Sequence, residues 1–269
     1  MIALEEKFIY QQESIIIINL MSHLILIAII LYLFHKVGAL SLSGFFGAST
    51  MGCLLILYGI PFHFLLLASF FILSSCLNIF IKKLIDLKTK QSQRNVVQVM
   101  CNGGVPLLIC IISYFHQSLF FNYLFAASVA TAMSDTWATE FGKLSKVRPI
   151  TIASLKKVSH GLSGGVTFIG TIGSLIGSCI IGFLAYNLIS VEKYLIFGII
   201  LCGFLGSIFD SILGDKLQGK YKTISGKIIE KPENNSIIIS GHGLINNDVV
   251  NLIATFSGPL FMYLYIRII

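Results

Sequence analysis

Apolar segments of about twenty residues recur along the whole chain, and this feature constrains its fold more than any other. A helix of about 20 apolar residues is long enough to cross the hydrocarbon core of a bilayer. Eight segments approach this length, and they lie near residues 15–34, 38–58, 62–81, 96–114, 119–139, 162–186, 195–216 and 244–266. The sequence therefore predicts an all-α, polytopic transmembrane helical bundle of about eight spans, within a range of six to eight. We expect 1–269 to form a single integral membrane domain.

The composition argues against a soluble domain. Hydrophobic residues make up 55% of the 269 residues and charged residues 12%, about half the charged share that is usual in soluble domains. The mean hydropathy is +0.87, and a bilayer can hide that much apolar surface. The six cysteines lie in apolar stretches without a CxxC pair, so we expect them to pack as small apolar side chains. The six histidines show no ligand spacing, and no zinc site is expected.

Basic residues concentrate in three loops and predict the orientation of the chain. The loops after the third, fifth and seventh spans hold fifteen of the nineteen basic residues, whereas the short loops between them hold only Lys193. With eight spans the three basic loops share one face, which the positive-inside rule makes cytoplasmic. We therefore expect a protein of the cell membrane, embedded in the lipid bilayer, with both termini outside. The net charge of +7 follows mostly from this topology, and no nucleic acid partner is expected.

Polar residues of the spans gather at the cytoplasmic ends. A charged residue inside a membrane span is costly and marks a functional site by default. The polar side chains that close the fifth and seventh spans or open the fourth and eighth are Arg94, Gln98, Asn102, Asp135, Glu140, Asp210, Asp215, Asn246, Asn247, Asp248 and Asn251. Under the predicted topology, all of them lie toward the cytoplasmic leaflet.

Helical spacing places the two central aspartates on defined helix faces. Residues that recur every four positions are Ala127, Thr131, Asp135 and Thr139 in the fifth span, Gly206, Asp210 and Gly214 in the seventh, and Asn247 and Asn251 in the eighth. Residues four apart share one face of a helix. Because glycines flank Asp210, this aspartate should lie where another backbone approaches closely.

Three glycine-containing segments predict further features. Segment 102–106, Asn-Gly-Gly-Val-Pro, should weaken or unwind the fourth span, which is tolerated where a helix is buried in protein or lines a cavity. Segment 160–165, His-Gly-Leu-Ser-Gly-Gly, opens the sixth span, and its backbone N–H groups suit a phosphate. The sixth span continues with a face of small residues suited to close packing, formed by Gly170, Gly173, Ser174, Gly177 and Ser178.

Each of these features has a simpler explanation when it is taken alone. An aspartate at a span end is commonly a solvated cap, a glycine stripe is commonly helix packing, and a basic loop is commonly topology. Because all of these features converge on one membrane face, together they favour a functional site there. Magnesium binds through one or two carboxylates and substrate phosphates, and basic side chains suit the phosphates. The residues therefore predict a metal–phosphate site at the cytoplasmic surface, with an apolar body able to hold a lipid tail.

Six segments carry a resemblance to a known family. They are RNVVQVMCNG at 94–103, SDTWATEFG at 134–142, RPIT at 148–151, GGVT at 164–167, GSIFDSILG at 206–214 and NNDVVN at 246–251. With these segments in order within 82–265, the chain resembles the integral membrane family of plant phytyl-phosphate kinase and the animal transmembrane protein nineteen. More remotely, it is similar to dolichol kinase and phosphatidate cytidylyltransferase. The chain departs from the family at Ile245, where an aspartate is usual.

The resemblance implies a CTP-dependent kinase that phosphorylates a phytyl- or polyprenyl-monophosphate to the diphosphate with magnesium. The residues that it implies for catalysis are Asp135, Asp210, Glu140 and Asp248, and those for the metal are Asp135, Asp210 and Asp215. The residues expected to bind nucleotide and phosphates are Arg94, Gln98, Asn102, Lys143, Arg148, Lys156, Gly164, Gly165, Asp215, Asn246 and Asn247. The expected partners are therefore an isoprenyl phosphate, a nucleotide and the bilayer.

Other functions remain open at this point. A cytidylyltransferase acting on a phospholipid would release pyrophosphate in place of CDP. A lipid transporter or scramblase would be expected to carry a paired broken helix in each half. A purely structural membrane protein would not respond to nucleotide. The chain length of the lipid, the nucleotide preference and homo-oligomerisation are also left open.

Overall fold

The structure is a computed structural model that describes residues 25, 27–85, 93–189 and 192–269. Within these ranges the helices are α1 (Ile27–Lys36), α2 (Leu42–Tyr58), α3 (Pro61–Leu84), α4 (Val96–His116), α5 (Leu119–Gly142), α6 (Phe168–Ile189), α7 (Lys193–Lys216) and α8 (Asn247–Ile268). The strands are β1 (Ile150–Thr151), β2 (Gly165–Val166), β3 (Lys220–Lys222), β4 (Ile228–Ile229) and β5 (Ile237–Ser240). Much of the first predicted span, 15–34, lies outside the described residues.

The predicted class, an all-α membrane protein, is confirmed. Five of the described helices, α3, α4, α6, α7 and α8, are long and apolar enough to cross a membrane, which is fewer than the eight expected spans. Helix α2 has 17 residues, and α5 is less apolar because polar residues interrupt it. Large apolar side chains lie exposed on the helices, for example Phe115 at 71% and Phe168 at 81%. An apolar surface of this kind suits contact with lipid tails.

Helix α5 lies at the centre of the bundle and packs against α3, α4, α6, α7 and α8. Its residues 125–134 are all buried, and most of them are small. A Cβ atom added at Gly203 of α7 would lie 2.6 Å from Ala130 of α5, and one at Gly177 of α6 would lie 3.1 Å from the Met133 carbonyl oxygen. The small residues therefore allow the backbones to approach closely, which is how helices associate in membranes.

The small-residue face predicted for the sixth span is confirmed. All five of its residues are buried in α6, and hydroxyl groups add a polar link across three helices. Ser134 of α5 and Ser174 of α6 are joined through their hydroxyl groups at 2.7 Å, and Ser174 donates to Ser207 of α7 at 2.9 Å. The single Ser134 hydroxyl hydrogen is shared between the Ser174 hydroxyl oxygen and the Ser174 carbonyl oxygen, which lies 2.8 Å away. Inside a bilayer, such paired hydroxyls satisfy polar groups that would otherwise be unbonded.

Two local predictions are wrong. Helix α4 is continuous through 102–106 and carries Pro106 in its interior. The proline removes one backbone donor, but the Gly103 Cα packs directly against Met51 of α2, so a neighbouring helix supports this part of α4. Segment 160–165 does not open a helix directly, because its last residue, Gly165, begins β2 and α6 begins only at Phe168. Strand β2 pairs antiparallel with β1, which separates the glycine turn from the helix.

The residues predicted to form the site lie at one end of the bundle, here called the basic end. It is formed by the C-terminal ends of α3, α5 and α7, the N-terminal ends of α4, α6 and α8, and the loops that join them. The loop between α7 and α8 folds into a three-stranded antiparallel sheet with the strand order β4-β3-β5. Its base is closed where Gly219 N donates to the Ile245 carbonyl oxygen at 2.9 Å and His242 N donates to Leu217 at 2.9 Å.

Candidate functional site

Asp135 of α5 and Asp210 of α7 face each other at the basic end. The two half-buried carboxylates are close enough to share a hydrogen bond. Asn251 of α8 completes the group, since in the amide orientation that satisfies both of its polar atoms its nitrogen donates to Asp210 Oδ2 and to the Asn247 carbonyl oxygen, each at 3.2 Å. Three helices that are distant in sequence therefore contribute one side chain each to a single polar cluster.

Close packing one turn deeper in the membrane fixes the positions of these three side chains. Thr131, one turn before Asp135, is buried and donates to the Ala127 carbonyl oxygen at 3.0 Å. Gly206 of α7 lies against Thr131, and Gly258 of α8 lies against both Thr131 and the Ala127 carbonyl oxygen. The helix faces predicted around Asp135 and Asp210 are therefore those along which α5, α7 and α8 meet.

The donor set of this cluster fits a magnesium ion. Two ionised carboxylates at this separation repel each other unless a proton or a cation lies between them. Neither Asp135 nor Asp210 forms a salt bridge with a described basic residue. Magnesium is commonly held by one or two carboxylates and completes its shell with substrate phosphates and water, so the two aspartates would hold it and Asn251 would orient Asp210.

Asp215 does not join this pair. In the described part of the chain, no group of three or more His, Cys, Asp or Glu side chains is arranged to hold a metal ion. Asp215 instead lies at the end of α7, where its Oδ1 is 3.4 Å from Lys220 Nζ and Lys220 also donates to the Asp215 carbonyl oxygen at 3.2 Å. The one-and-a-half turns of helix between Asp210 and Asp215 separate the two carboxylates, so the predicted three-aspartate metal set is reduced to two.

The glycine turn packs against this second position. Gly164 has a positive φ of 81°, and a Cβ there would lie 2.5 Å from the Asp215 backbone nitrogen. The turn is already bonded to a carboxylate, because Glu230 accepts from Ser163 N at 2.5 Å and from Ser163 Oγ at 3.0 Å. Gly165 forms part of β2. In this structure the turn therefore binds a carboxylate of the protein itself, and its binding of a phosphate stays a prediction.

Glu140 lies on a different face of α5 from Asp135, since five residues rotate the helix by about 140° beyond one full turn. It is buried and accepts from Asn78 Nδ2 of α3 at 2.7 Å, while Lys143 Nζ lies 2.6 Å from the same Oε1. Its Oε2 is buried and has no hydrogen-bond partner among the described residues. Glu140 therefore belongs to a basic cluster on the α3 side of the bundle rather than to the aspartate pair.

Arg94 is held beside this cluster by backbone contacts. Its N–H donates to the Ala39 carbonyl oxygen at 3.0 Å, and its own carbonyl oxygen accepts from Ser41 N at 3.0 Å. Its guanidinium lies 5.9 Å from the ring centres of both Phe70 and Phe71, within the range of a cation–π contact. Burial lowers the pKa of Arg94 and the nearby Glu140 carboxylate opposes that shift. An arginine remains protonated in such a site.

The predicted amides divide into capping and lining roles. Gln98 forms a capping box with Asn95 at the start of α4, with reciprocal hydrogen bonds of 3.0 and 3.2 Å. Asn246 caps α8 by accepting from Val249 N at 3.0 Å. Asn102 donates to the Gln98 carbonyl oxygen at 2.9 Å and lines a cavity together with Gln98. The family-like segments around these residues therefore contain helix caps as well as site residues.

The remaining predicted residues lie around the basic end. Asp248, in the first turn of α8, is near enough to Cys101 of α4 to interact with it electrostatically. Asn247 is exposed beside it. Arg148 and Lys156 are exposed in the loop between α5 and α6. None of these side chains is brought against the aspartate pair by a recorded hydrogen bond or salt bridge among the described residues.

Two residues that contact the predicted site were not identified from the sequence, namely Asn78 and Glu230. Asn78 lies in the apolar third span, and an amide side chain within a membrane segment is a signal that could have identified it. Glu230 lies in a polar loop 67 positions after Ser163, and the sequence carries no signal for their contact. Asn251 was recognised by its spacing from Asn247, but not as a partner of Asp210.

The chain is similar to known membrane proteins over most of its length. The family profile of integral membrane protein DUF92 matches residues 25–259. Uncharacterized membrane protein MJ0933 of Methanocaldococcus jannaschii is 31% identical over 249 residues, which are 91% of this chain and 93% of the relative. Protein PGR of Arabidopsis thaliana is 30% identical over 200 residues, which are 64% of this chain and 69% of the relative. No solved structure matches the chain.

Proposed function

Because this chain belongs to the integral membrane protein family DUF92, we propose that it is a membrane kinase that uses CTP to phosphorylate an isoprenoid monophosphate. The observation that carries the proposal is the pair formed by Asp135 and Asp210, two carboxylates from different helices with an amide from a third. Phosphoryl transfer depends mainly on positioning and on neutralising charge, for which such a pair is suited. The active site is proposed to face the cytoplasm.

The proposed reaction requires no covalent intermediate on the protein. A terminal oxygen of the lipid monophosphate attacks the γ-phosphorus of CTP. The bond between that phosphorus and the β–γ bridging oxygen breaks, CDP leaves with the electron pair, and the lipid becomes a diphosphate. Bound magnesium would neutralise charge on the donor phosphates. The part of this chain is to hold the metal through Asp135 and Asp210 and to keep Asp210 oriented through Asn251.

The direct test is an assay of the purified protein in lipid nanodiscs with CTP, magnesium and farnesyl or phytyl monophosphate. We expect the lipid diphosphate and CDP in equal amounts. Asp135→Asn and Asp210→Asn keep the shape of the side chains and remove the charge, and each should lower the rate by about 100-fold or more. Glu233→Gln, in the exposed loop after α7, is the matched control and should retain the wild-type rate. Full activity in both aspartate variants would exclude the assignment.

The same assay separates the alternatives by their products. Release of pyrophosphate with formation of a cytidine diphosphate lipid would identify a cytidylyltransferase. A protein that only moves lipids would consume no CTP, and CTP with magnesium would leave its melting temperature unchanged. ATP and UTP run in parallel determine whether CTP is the preferred donor.

A further inference from the structure

A second feature of the bundle is a cavity that the aspartate pair does not line. It extends from Arg94, at the basic end, to Gly59 and Pro61, where α2 joins α3 at the other end. It has a volume of about 600 Å³ and is bounded by α1, α2, α3 and α4, a size typical of a site for one small molecule. Apolar side chains such as Leu31, Met51, Leu55 and Phe64 form most of its wall. Its polar residues come mainly from the start of α4, where Arg94, Gln98 and Asn102 line it. The cavity therefore has an apolar body and a cationic end.

Arg94, at the cationic end of the cavity, is suited to bind an anion. Arg94 is fixed through its backbone and stacked near two phenylalanine rings, and its Nη1 has a long hydrogen bond of 3.5 Å to Ser75 Oγ. It forms no salt bridge with a carboxylate in the described part of the chain. An arginine in a largely apolar setting favours a phosphate or carboxylate partner, because its planar donors match those groups.

The surroundings of Arg94 carry an excess of positive charge. Lys82 lies near enough to both Lys143 and Arg94 for electrostatic interaction. Glu140 is the carboxylate among these cations and interacts with each of them. Glu140 is already bonded to Lys143 and Asn78. Three cations with one carboxylate leave a net charge of about +2 beside the polar end of the cavity, so a doubly charged anion would balance the cluster.

We infer that this cavity is the acceptor site, and that it takes a single-chain lipid monophosphate with its tail among α1, α2, α3 and α4 and its phosphate at Arg94. The inference deepens the proposed function, on which it rests for the identity of the phosphate as the reacting group. A membrane phospholipid would present two chains to a cavity of this volume. A single alkyl or prenyl chain with a monophosphate head matches both the apolar wall and the cationic end.

The location is compatible with transfer from a nucleotide at the aspartate pair. Glu140 follows Asp135 by five residues of α5, which is a rise of about 7.5 Å along the helix. Helix α4 carries Asn102 on the cavity side and Cys101 near Asp248 of α8. The start of α4 therefore lies between the cavity and α8, whose Asn251 bonds Asp210. Arg94 and the aspartate pair therefore both lie at the basic end.

The test measures binding in the absence of nucleotide, by native mass spectrometry of the detergent-solubilised protein. The probes are farnesyl monophosphate, farnesol and dioleoyl phosphatidic acid. We expect wild type to bind farnesyl monophosphate about tenfold more tightly than farnesol, as a charge-assisted contact implies. Arg94→Gln should abolish this preference and Arg94→Lys should keep part of it. Ala68→Phe, which fills the apolar wall, should weaken both prenyl probes. Lys146→Gln, an exposed charge outside the cavity, is the matched control.

The outcomes separate this inference from the proposed function. If Arg94→Gln keeps the preference for the phosphate, or if phosphatidic acid binds as tightly as farnesyl monophosphate, the inference is wrong even when the kinase assay succeeds. If binding follows the expected pattern and no diphosphate forms with any nucleotide, the kinase proposal fails and the lipid-phosphate site stands. Elution of each variant at the wild-type volume in gel filtration ensures that the comparison is made on folded protein.

Discussion

At the scale of single residues, the aspartate pair depends on glycines that admit another helix. A Cβ at Gly258 of α8 would clash with Thr131 Oγ1 and would lie 2.6 Å from the Ala127 carbonyl oxygen, and a backbone atom cannot rotate away. A Cβ at Gly104 of α4 would meet only the end of Met100, at 3.7 Å. The two positions therefore form a matched pair for the same substitution.

We predict that Gly258→Ala destabilises the protein by about 1–3 kcal/mol, the usual effect of overpacking. Gly104→Ala should be neutral or stabilising by up to about 1 kcal/mol, because alanine is the better helix former. The measurement is thermal unfolding of both variants in the same detergent. Equal melting temperatures for the two variants would contradict the close approach of α8 to α5.

Asn251 gives a prediction about the metal that does not depend on activity. Asn251→Asp would place a third carboxylate beside Asp210, with which the asparagine now forms a hydrogen bond. Without magnesium, like-charge repulsion should lower the melting temperature. With magnesium, the variant should be stabilised more than wild type, and half-saturation should require about tenfold less metal because ligand charge raises affinity.

The control for this experiment is Asn234→Asp, in the loop between β4 and β5, where the side chain is exposed. It adds the same charge away from the pair, so its magnesium dependence should match that of wild type. A wild-type response in both variants would mean that Asp210 does not face a metal.

The site residues that could be predicted are those whose role shows in the spacing of residues within one helix. Spacing placed Asp135 and Asp210 on the faces along which the helices meet, because a four-residue period needs no knowledge of the partner helix. Spacing could not separate Asp210 from Asp215, or site amides from caps such as Asn246, since those roles depend on which way the side chain points. The contact of Glu230 with Ser163 has no local signal at all.

At the scale of elements, the loop after α7 is tied to the loop before α6 by Glu230. This carboxylate accepts both from the backbone and from the hydroxyl group of Ser163. Hydrogen bonds to a charged group contribute about 1.5–3 kcal/mol each. The three-stranded sheet and the glycine turn should therefore open together rather than independently.

We predict that Glu230→Ala raises hydrogen–deuterium exchange in residues 160–166 by about tenfold or more, because the loss of the carboxylate frees Ser163 N–H. Glu233→Ala, three positions later in the same exposed loop, should leave exchange in that segment unchanged. Exchange measured by mass spectrometry on both variants decides the point. An unchanged rate in Glu230→Ala would mean that the turn is held by its own backbone.

The helices themselves were largely predictable from the sequence. Helix α4 begins at Val96 and α5 at Leu119, where the predicted spans begin, because a charged or polar segment ends at each point. Helix α6 begins six residues later than predicted, since the short β1–β2 pairing uses the residues after the glycine turn. Neither small sheet was predicted, because each strand is too short to show a period of two.

At the scale of the whole molecule, the resemblance recognised in six segments is confirmed by the match to an integral membrane family over 25–259. The cavity among α1, α2, α3 and α4 could not have been predicted in the same way. Its apolar wall has the same composition as a surface that faces lipid, and only the positions of four helices relative to one another enclose it. In the sequence, Arg94 is one of the basic residues of a loop. Only the fold places its side chain at one end of the cavity.

Orientation in the membrane is the remaining property of the whole molecule, and loop charge predicts it. Lys146, between α5 and α6, lies at the basic end, and Lys193 begins α7 at the opposite end. The positive-inside rule places the basic end in the cytoplasm. In a background in which the six native cysteines are replaced, we predict that a membrane-impermeant maleimide added to intact cells labels Lys193→Cys and leaves Lys146→Cys unlabelled. Inside-out vesicles should reverse this pattern. If Lys146→Cys is labelled in intact cells, the aspartate pair lies on the side of the membrane away from cytoplasmic nucleotide, and the proposed kinase is overturned.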